Sequence, residues 1–330
     1  LELVKNLIIE WQPDVIAESF TPRVMKSWGL DYPSVIKIRP NVIYFSTCLM
    51  GQFGPHNNFA GYGQLAGAMA GFYEITGWPD KSPAGPYGAY SDFLNPPIAF
   101  GSIVAALDYR DRHGKGQHID LSQYEGAMHF LAPHIMKYNE DGSILSRMGN
   151  EDDGMYPHGI YRCLNQKRSL TDTEESWVAI AIESEPQWLE FSKILGFHEA
   201  IYKQNLTERK TNRDHIDHLI TEWTSQHESR HVMKLLQSHK IPSGMVQSQS
   251  DMWEDPHLEH MGFFQWLQHT EIGPMPYDGL QFQLSKTPGH LSRAQAMIGE
   301  HNLEILGEIL SMGPSEVADL LLEGILEQSF

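Results

Sequence analysis

Short apolar segments near the start of the chain alternate with helical patterns. Asp14–Ala17 and Asn41–Ser46 are rich in β-branched residues and are bounded by proline and polar residues. Runs of this kind are typical of strands that are buried in a parallel sheet. Between them, residues from about Pro22 to Ile38 predict a helical hairpin. The order strand, helices, strand predicts an α/β domain.

Longer helical patterns and a further strand follow this start. Residues 61–76 and 97–111 predict helices, and Gly114 ends the second because glycine is the usual residue just beyond a helix. Residues 117–121 predict a strand, and residues 123–138 predict another helix. The α/β pattern therefore continues to about residue 138.

Two polar, glycine-bearing stretches then interrupt the pattern, at 139–143 and at 149–154. Such stretches are typical of linkers. We therefore predict a large α/β domain over 1–138, a linker over 139–156 and a smaller α+β domain over 157–290. The strand and helices predicted beyond the linker are 177–182, 186–195, 215–223, 228–239, 301–311 and 314–323.

Composition narrows the class of protein. The 330 residues are 41% hydrophobic, which suffices for a large core, and the formal charge of −18 disfavours binding to nucleic acid or to an anionic membrane. Two cysteines cannot make a disulfide framework, and no apolar run approaches the length of a membrane span. Leu1–Lys5 has the pattern of neither a signal nor a transit peptide. We expect a cytoplasmic protein.

An aspartate lies where the chain passes from a glycine-bearing loop, Gly85–Gly88, into a helical pattern. Asp92 has two interpretations, a helix N-cap or an anion held near unpaired N–H groups. Asn95 is at least as good a cap, because Pro96 follows it at the first helical position. Asp92 is then free to act as a nucleophile.

Several motifs along the chain carry a family resemblance. They are Ala60–Gln64, Ile75–Asp80, Gly88–Asp92, Gly114–Ser122, Pro157–Cys163, Ile241–Gly244, Thr287–Gly289 and Gly299–Asn302. Together they resemble the family III CoA-transferases, which include the formyl-CoA and carnitine CoA-transferases and the 2-methylacyl-CoA racemases. The Gly77–Asp92 segment is most similar to transferases that act on benzylsuccinate-like dicarboxylic acids. Beside that family the chain begins late, so the resemblance implies that a first βαβ unit is absent here or supplied by another chain.

The resemblance implies a fold and a mechanism. The large domain is expected to be Rossmann-like, residues 291–330 are expected to return to it, and two subunits are expected to interlock as a homodimer or heterodimer. Asp92 is expected to attack an acyl-CoA, forming a mixed anhydride and then an aspartyl-CoA thioester that a small carboxylic acid accepts. An aspartate in water has a pKa of about 3.9, so it is a nucleophile without a general base. CoA thioesters would be substrates, with no metal and no tightly bound cofactor.

The site residues carried over by the resemblance lie in three segments. The CoA-binding candidates are Ser19, Phe20, Thr21 and Lys26 after the first predicted strand, and Cys48, Met50 and Gly51 after the second. Tyr62 and Tyr90 are substrate-binding candidates. The alternatives from the residues alone are that Phe20 belongs to the core, Lys26 is a solvated helix residue and Tyr62 packs at a helix start. The counterpart of the family's glycine-rich flap, Gly149–Gly154, is acidic and poor in glycine, which puts an oxyanion-binding role for it in doubt.

Two alternative functions stay open. A racemase shares the aspartate but carries a histidine where this chain has Tyr62. A tyrosine phenol, with a reference pKa near 10, is a poor base for abstracting an α-proton, so transfer is favoured. The second alternative is a non-catalytic subunit of a heteromeric transferase.

Three other motif matches do not fit their structural context. Gly61-x-Gly63-x-x-Ala66 has the letters of a dinucleotide fingerprint, but no strand pattern precedes it. His227–His231 matches H-E-x-x-H, yet a cap at Thr224 or Ser225 would place both histidines in an exposed first turn, and Lys234 stands where the extended motif has glycine. His257–His260 is expected at the surface, and no G-x-S-x-G elbow occurs. We therefore expect no nicotinamide site, catalytic zinc or serine nucleophile.

Overall fold

A computed structural model of the chain describes residues 1–167 and 173–329. Residues 168–172 of the predicted small domain lie outside this description. The described chain forms two compact units, one of Leu1–Arg147, Trp266–Tyr277 and the residues from Leu291 onward, the other of Met148–Gln265 and Asp278–His290. The chain passes between the units inside the segment 139–156, whereas Trp266–Tyr277, which the sequence places in the small domain, groups with the first unit.

The helices and strands follow one another along the chain. Up to residue 141 they are α1 (Glu2–Trp11), β1 (Val15–Glu18), α2 (Pro22–Trp28), α3 (Tyr32–Val35), β2 (Ile43–Cys48), α4 (Gly63–Ala70), α5 (Phe72–Ile75), α6 (Tyr90–Leu94), α7 (Pro96–His113), β3 (Gln117–Ser122), α8 (Gln123–His129) and α9 (Ala132–Asp141). Then come β4 (His158–Arg162), β5 (Gln166–Lys167), β6 (Thr173–Glu174), β7 (Trp177–Ala181), α10 (Glu185–Leu195), α11 (Glu199–Tyr202), α12 (Leu206–Thr211), α13 (Arg213–Thr224), α14 (Ser229–Ser238), β8 (Ser243–Met245), α15 (Gln249–Trp253), α16 (Pro256–Met261), β9 (Phe264–His269), β10 (Gly273–Asp278), α17 (Asn302–Leu310) and α18 (Pro314–Leu322).

The first unit contains the predicted parallel sheet. Strands β1, β2 and β3 lie side by side in that order, with Ala17 opposite Phe45 and Phe45 opposite Ile119. Val42 and Tyr44 pack with α1 and the α2–α3 hairpin in a buried cluster. The α/β class and these strands are thus confirmed. Because all three strands are parallel, their carboxyl ends meet at one edge of the sheet.

Two helices predicted as continuous are each broken in the structure. Residues 61–76 divide into α4 and α5 at Gly71, whose φ of +105° a helix cannot contain. Residues 123–138 divide into α8 and α9, and Pro133 lies in the first turn of α9. Proline lacks the N–H that would continue α8 through this point, so the break follows from the sequence itself.

The second unit packs helices on an antiparallel sheet in the order β4, β7, β8. Its core joins Val178 and Ile180 of β7 to Trp188, Ile216 and Leu236 of the helices. The short pair β5–β6 is antiparallel. The predicted α+β character of this region is confirmed.

A buried cation links three elements of the second unit. Arg209 of α12 is 2% exposed, and its guanidinium lies 4.9 Å from the centre of the Trp188 ring. It donates hydrogen bonds to the Tyr156 and Gln204 carbonyls and to both carboxylate oxygens of Glu185. The Nε and Nη1 atoms thereby gain acceptors, which offsets the cost of burying the charge.

The H-E-x-x-H segment differs from the expectation in its helix start. Helix α14 begins at Ser229 with Glu228 as its N-cap, so His227 precedes the helix and does not lie in its first turn. The Nδ1 atom of His227 lies 2.8 Å from the Trp223 carbonyl oxygen, and the two rings stack. His227 is thus engaged with the preceding helix.

Candidate active site

Asp92 is the third residue of the short helix α6. Its own N–H donates to the Ala89 carbonyl at 2.8 Å, and Ala89 is the N-cap of the helix. Asn95 is the N-cap residue of α7 and Pro96 is its first helical residue, as predicted. Asp92 therefore does not cap the long helix.

The Asp92 carboxylate lies against the first turn of α4. A Cβ atom built on Gly63, the first residue of α4, would be 2.6 Å from Asp92 Oδ1 and 2.8 Å from its Cγ. The N–H groups of Gly63 and Gln64 lead this helix, and neither they nor the Asp92 carboxylate has a hydrogen-bond partner among residues 1–167 and 173–329. The carboxylate is half-buried, so it is an anion beside free donors and open to a reactant.

Buried polar contacts hold α6 in this place. Ser91 is fully buried, and its hydroxyl donates to the Gly63 carbonyl at 3.2 Å. The Asn95 side chain does not cap α7; its Nδ2 donates to the Ser91 carbonyl at 2.7 Å and to the Gln123 carbonyl at 3.2 Å. Asn95 Oδ1 is buried against Gly126, where only glycine leaves room, and it has no hydrogen-bond partner among the residues that the structure describes. The helix that carries Asp92 is thus tied to α4 and to the start of α8.

The two tyrosines predicted to bind substrate lie in different surroundings. The Tyr90 ring is 5.4 Å from that of Phe72 and packs against the cluster of Phe72, Ala127 and Leu131. Tyr62 is the N-cap of α4, and its side chain is 83% exposed, so it is not a packing aromatic. Of the two, only Tyr62 presents its ring to solvent beside Gly63.

The predicted CoA-binding residues lie at the carboxyl ends of β1 and β2. Ser19, Phe20 and Lys26 are exposed, so Phe20 is not a core residue, and the Phe20 ring lies 5.3 Å from that of Trp28. Thr21 is the N-cap of α2. These side chains present a polar and aromatic surface on one side of the sheet edge.

The end of β2 and the loop after it are more enclosed. Cys48 and Gly51 are buried, and Met50 is half-buried. Burial raises the pKa of the Cys48 thiol and the charge of Asp120 raises it further, while backbone hydrogen bonds lower it. The thiol is therefore held as a neutral, packed group.

A set of polar residues at this sheet edge was not anticipated from the sequence. Glu18, Gln52, His118 and Asp120 come together there, although 68 residues separate Gln52 from Asp120. The His118 Nε2 atom lies 2.9 Å from Ser46 Oγ, and its ring stacks on Tyr32 at 5.1 Å. Burial lowers the pKa of His118. The sequence feature that could have indicated this set is the alternation of side chains along each strand, which assigns each residue to one face of the sheet. The strand pairing then places Glu18, Ser46 and Asp120 in one row.

The acidic segment that corresponds to the flap lies in the second unit. The Asp152 carboxylate accepts hydrogen bonds from the N–H groups of Gly154 and Met155, and the Lys210 ammonium donates to the carbonyls of Asp152 and Asp153. These contacts fix its backbone within that unit. Whether this segment donates hydrogen bonds to the oxyanion of a reacting carbonyl stays untested, and the doubt raised by its acidic sequence stands.

No set of three or more histidine, cysteine, aspartate or glutamate side chains that could hold a metal converges within residues 1–167 and 173–329. His257 and His260 are both exposed, as expected. None of the helices in the described ranges has the length and apolar character needed to cross a bilayer.

Comparison with known proteins decides the family. Residues 2–302 match the sequence profile of CoA-transferase family III. The chain belongs to this family. It is therefore an enzyme, a CoA-transferase, and the resemblance seen in its motifs is confirmed.

Relatives and a solved structure agree with this family III assignment. Succinyl-CoA–D-citramalate CoA-transferase of Chloroflexus aurantiacus is 26% identical over 327 residues, which cover 98% of this chain and 79% of that protein. The alpha subunit of succinyl-CoA–L-malate CoA-transferase of the same organism is 26% identical, over 93% of this chain and 71% of that subunit. A CaiB/BaiF family protein from Brucella suis superimposes with a TM-score of 0.81 at 28% identity, covering 93% of this chain and 78% of that one.

Proposed function

We propose that this CoA-transferase moves CoA from an acyl-CoA donor to a carboxylic acid through covalent intermediates on Asp92. One observation carries the proposal: the Asp92 carboxylate lies beside the unpaired N–H groups that begin α4 and has no partner among the described residues. A carboxylate without a partner keeps its lone pairs for attack on a carbonyl.

Each step of the proposed cycle exchanges one bond for another. An Asp92 oxygen attacks the thioester carbonyl, the C–S bond breaks, and a mixed anhydride and the CoA thiolate form. The thiolate attacks the Asp92 carbonyl carbon of that anhydride, which releases the donor acid and leaves an aspartyl-CoA thioester. The acceptor carboxylate then attacks this thioester, and the freed thiolate takes the acceptor acyl group and restores Asp92. Donors preorganised around each oxyanion would lower these barriers.

The substrates are proposed from the relatives. Two of them are named for succinyl-CoA and for dicarboxylic acids, D-citramalate and L-malate. We infer succinyl-CoA as the donor and a small dicarboxylic acid as the acceptor. This class agrees with the likeness of Gly77–Asp92 to transferases of benzylsuccinate-like acids.

Two features bear on the alternatives. Exposed Tyr62 supplies no imidazole beside Gly63, which supports transfer over racemisation. Two of the relatives are named as the alpha and beta subunits of one transferase, so a heteromer is also consistent with this family. We propose that the active enzyme is a homodimer or a heterodimer. Light scattering on the purified chain tests the homodimer, because a heterodimer would need a second chain.

The experiment is to trap the covalent intermediate. The protein is incubated with succinyl-CoA, quenched with hydroxylamine and digested, and mass spectrometry locates the hydroxamate. We expect the modification on Asp92, and we expect Asp92→Asn to lose it together with at least about a thousandfold of the transfer rate.

Asp108→Asn is the matched control, because Asp108 is an exposed aspartate of α7 whose one ion pair in the described part of the chain is with exposed Arg112. It should trap and transfer like the wild type. Transfer at the wild-type rate by Asp92→Asn would show that the mechanism is wrong. Rapid loss of the α-hydrogen from a 2-methylacyl-CoA would point to the racemase.

A further inference from the structure

The loops that carry the predicted CoA-binding residues share one buried carboxylate. Glu18 ends β1 and is 8% exposed. Its Oε2 accepts the N–H of Phe20 at 2.8 Å, and its Oε1 accepts the Gln52 side-chain amide at 3.3 Å. One side chain thus holds the loop after β1 and the loop after β2 at a fixed separation.

The loop after β2 is also held from the other side. Both carboxylate oxygens of Asp120, on β3, lie 2.9 Å from the Gln52 backbone nitrogen. Gly51 permits this approach, because its φ is +80° and a Cβ there would lie 3.3 Å from Asp120 Oδ2. The Asn57 side chain donates to the Gln52 carbonyl at 3.1 Å. Gln52 is therefore fixed by neighbours from two strands and from its own loop.

The turn after β1 does not by itself require a charged side chain at position 18. A buried carboxylate is unfavourable unless donors surround it, and Glu18 has no cationic partner within the described part of the chain. A glutamine at this position would have a lower desolvation cost, but it would accept on one oxygen only. What the charge adds is stronger hydrogen bonds, which hold both loops in place before a ligand arrives.

The chemistry around these loops suits a nucleotide thioester better than a small acid. The rings of Phe20 and Phe53 are 46% and 71% exposed and offer apolar faces to an adenine or a pantetheine arm. Arg23 and Lys26 are exposed one turn apart on α2, and neither forms an ion pair with any residue that the structure describes. They offer positive charge to phosphates. The site lies at the carboxyl ends of parallel strands, where open α/β sheets bind ligands.

We propose that Glu18 is a positioning residue for the CoA thioester, acting through the two loops that it joins. The inference rests on the proposed function and deepens it. Preorganised loops reduce the ordering that binding would otherwise require, so Glu18 acts on CoA affinity and leaves the chemistry at Asp92 unchanged. Binding of the acceptor acid does not depend on Glu18.

Glu18→Gln tests this, since it keeps the shape, removes the charge and turns one acceptor into a donor. Calorimetry with CoA gives the Kd, and initial rates with succinyl-CoA and an acceptor acid give kcat and both KM values. We expect the CoA Kd and the succinyl-CoA KM to rise about tenfold, with kcat and the acceptor KM within about twofold. The matched control is Glu10→Gln, an exposed glutamate of α1, which should bind CoA like the wild type.

Two results would overturn the inference. One is an unchanged CoA Kd in Glu18→Gln, and the other is an equal rise in both KM values, which indicates a general loss of structure. If Glu18→Gln does not fold, Gln52→Leu breaks the same bridge from a half-buried side chain, and there an unchanged CoA Kd is decisive. Failure of this inference can be distinguished from failure of the proposed function. If the proposed function is wrong, the wild type forms no hydroxamate on Asp92, and the comparison of CoA Kd values between the wild type and Glu18→Gln is unaffected.

Discussion

Replacing Gly63 with alanine tests whether the position of the Asp92 carboxylate sets the rate of transfer. The new Cβ would lie 2.6 Å from Asp92 Oδ1 and 2.9 Å from the Ala89 Cβ. Both distances are roughly 1 Å short of an ordinary contact. The Asp92 side chain can turn away from the new Cβ, whereas the contact with the Ala89 Cβ is relieved only by a shift of the backbone of α4 or α6. Both movements displace the Asp92 carboxylate relative to α4.

A displacement of this size has a calculable effect. Misplacing a reacting group by about 1 Å can lower a rate by about a hundredfold, which corresponds to about 2.7 kcal/mol of activation free energy. We expect Gly63→Ala to lower kcat by this factor and to slow hydroxylamine trapping at Asp92 equally. The succinyl-CoA KM should stay near the wild-type value, because the contacts around Glu18 are untouched.

The matched control is Gly67→Ala in the same helix. A Cβ on Gly67 would meet only the Tyr73 ring, at an ordinary 3.8 Å, so this variant gains helix propensity without moving Asp92. Rates are measured by mass spectrometry of the CoA esters, and folding is checked by thermal unfolding. If Gly63→Ala folds normally and transfers CoA within threefold of the wild type, the positional argument is refuted.

Two further predictions concern stability. Arg209→Met leaves the buried Tyr156 carbonyl and the half-buried Gln204 carbonyl without their donor, and it should lower the urea unfolding free energy of the second unit by about 3 kcal/mol. Arg112→Met, at an exposed pair of the first unit, should lower the unfolding free energy of its own unit by about 0.5 kcal/mol or less. Equal effects would contradict the role of the buried cation. Burial lowers the pKa of His118 against the raising effects of Asp120 and Glu18, so the unfolded chain binds the proton more readily and stability falls as pH drops through about 6.5. His118→Gln should show a smaller fall in urea midpoint between pH 7.5 and pH 5.5, and a fall equal to the wild type would contradict this sign.

The elements of the first unit were predictable where local chemistry dictates them. Strands β1 and β2 follow their apolar runs, and Pro96 and Gly114 delimit α7 as helix signals do. The broken helices were also readable, since Gly71 and Pro133 stand at the breaks. The helical periodicity continues across both breaks and by itself shows neither of them.

The contacts of the site were not predictable in the same way. That Gly63 faces Asp92 depends on how α4 and α6 pack, and no local pattern encodes the distance between them. The pairing of Gln52 with Asp120 depends on strand register, which joins residues that are far apart in sequence. Motif resemblance found the nucleophile candidate because it lies in a contiguous segment, and it missed Glu18 because the role of that residue lies in its contacts.

Two carboxylates of the first unit show why residue type alone does not assign a role. Glu18 ends a strand and accepts hydrogen bonds on both oxygens, so its charge is committed to holding backbone and side-chain donors. Asp92 lies beside N–H groups that have no partner in the described chain and accepts none of them, so its lone pairs are available. A carboxylate saturated by donors is a weak nucleophile, because attack would first have to break those bonds. In the proposed mechanism the environment therefore distinguishes Glu18, the positioning group, from Asp92, the reacting group.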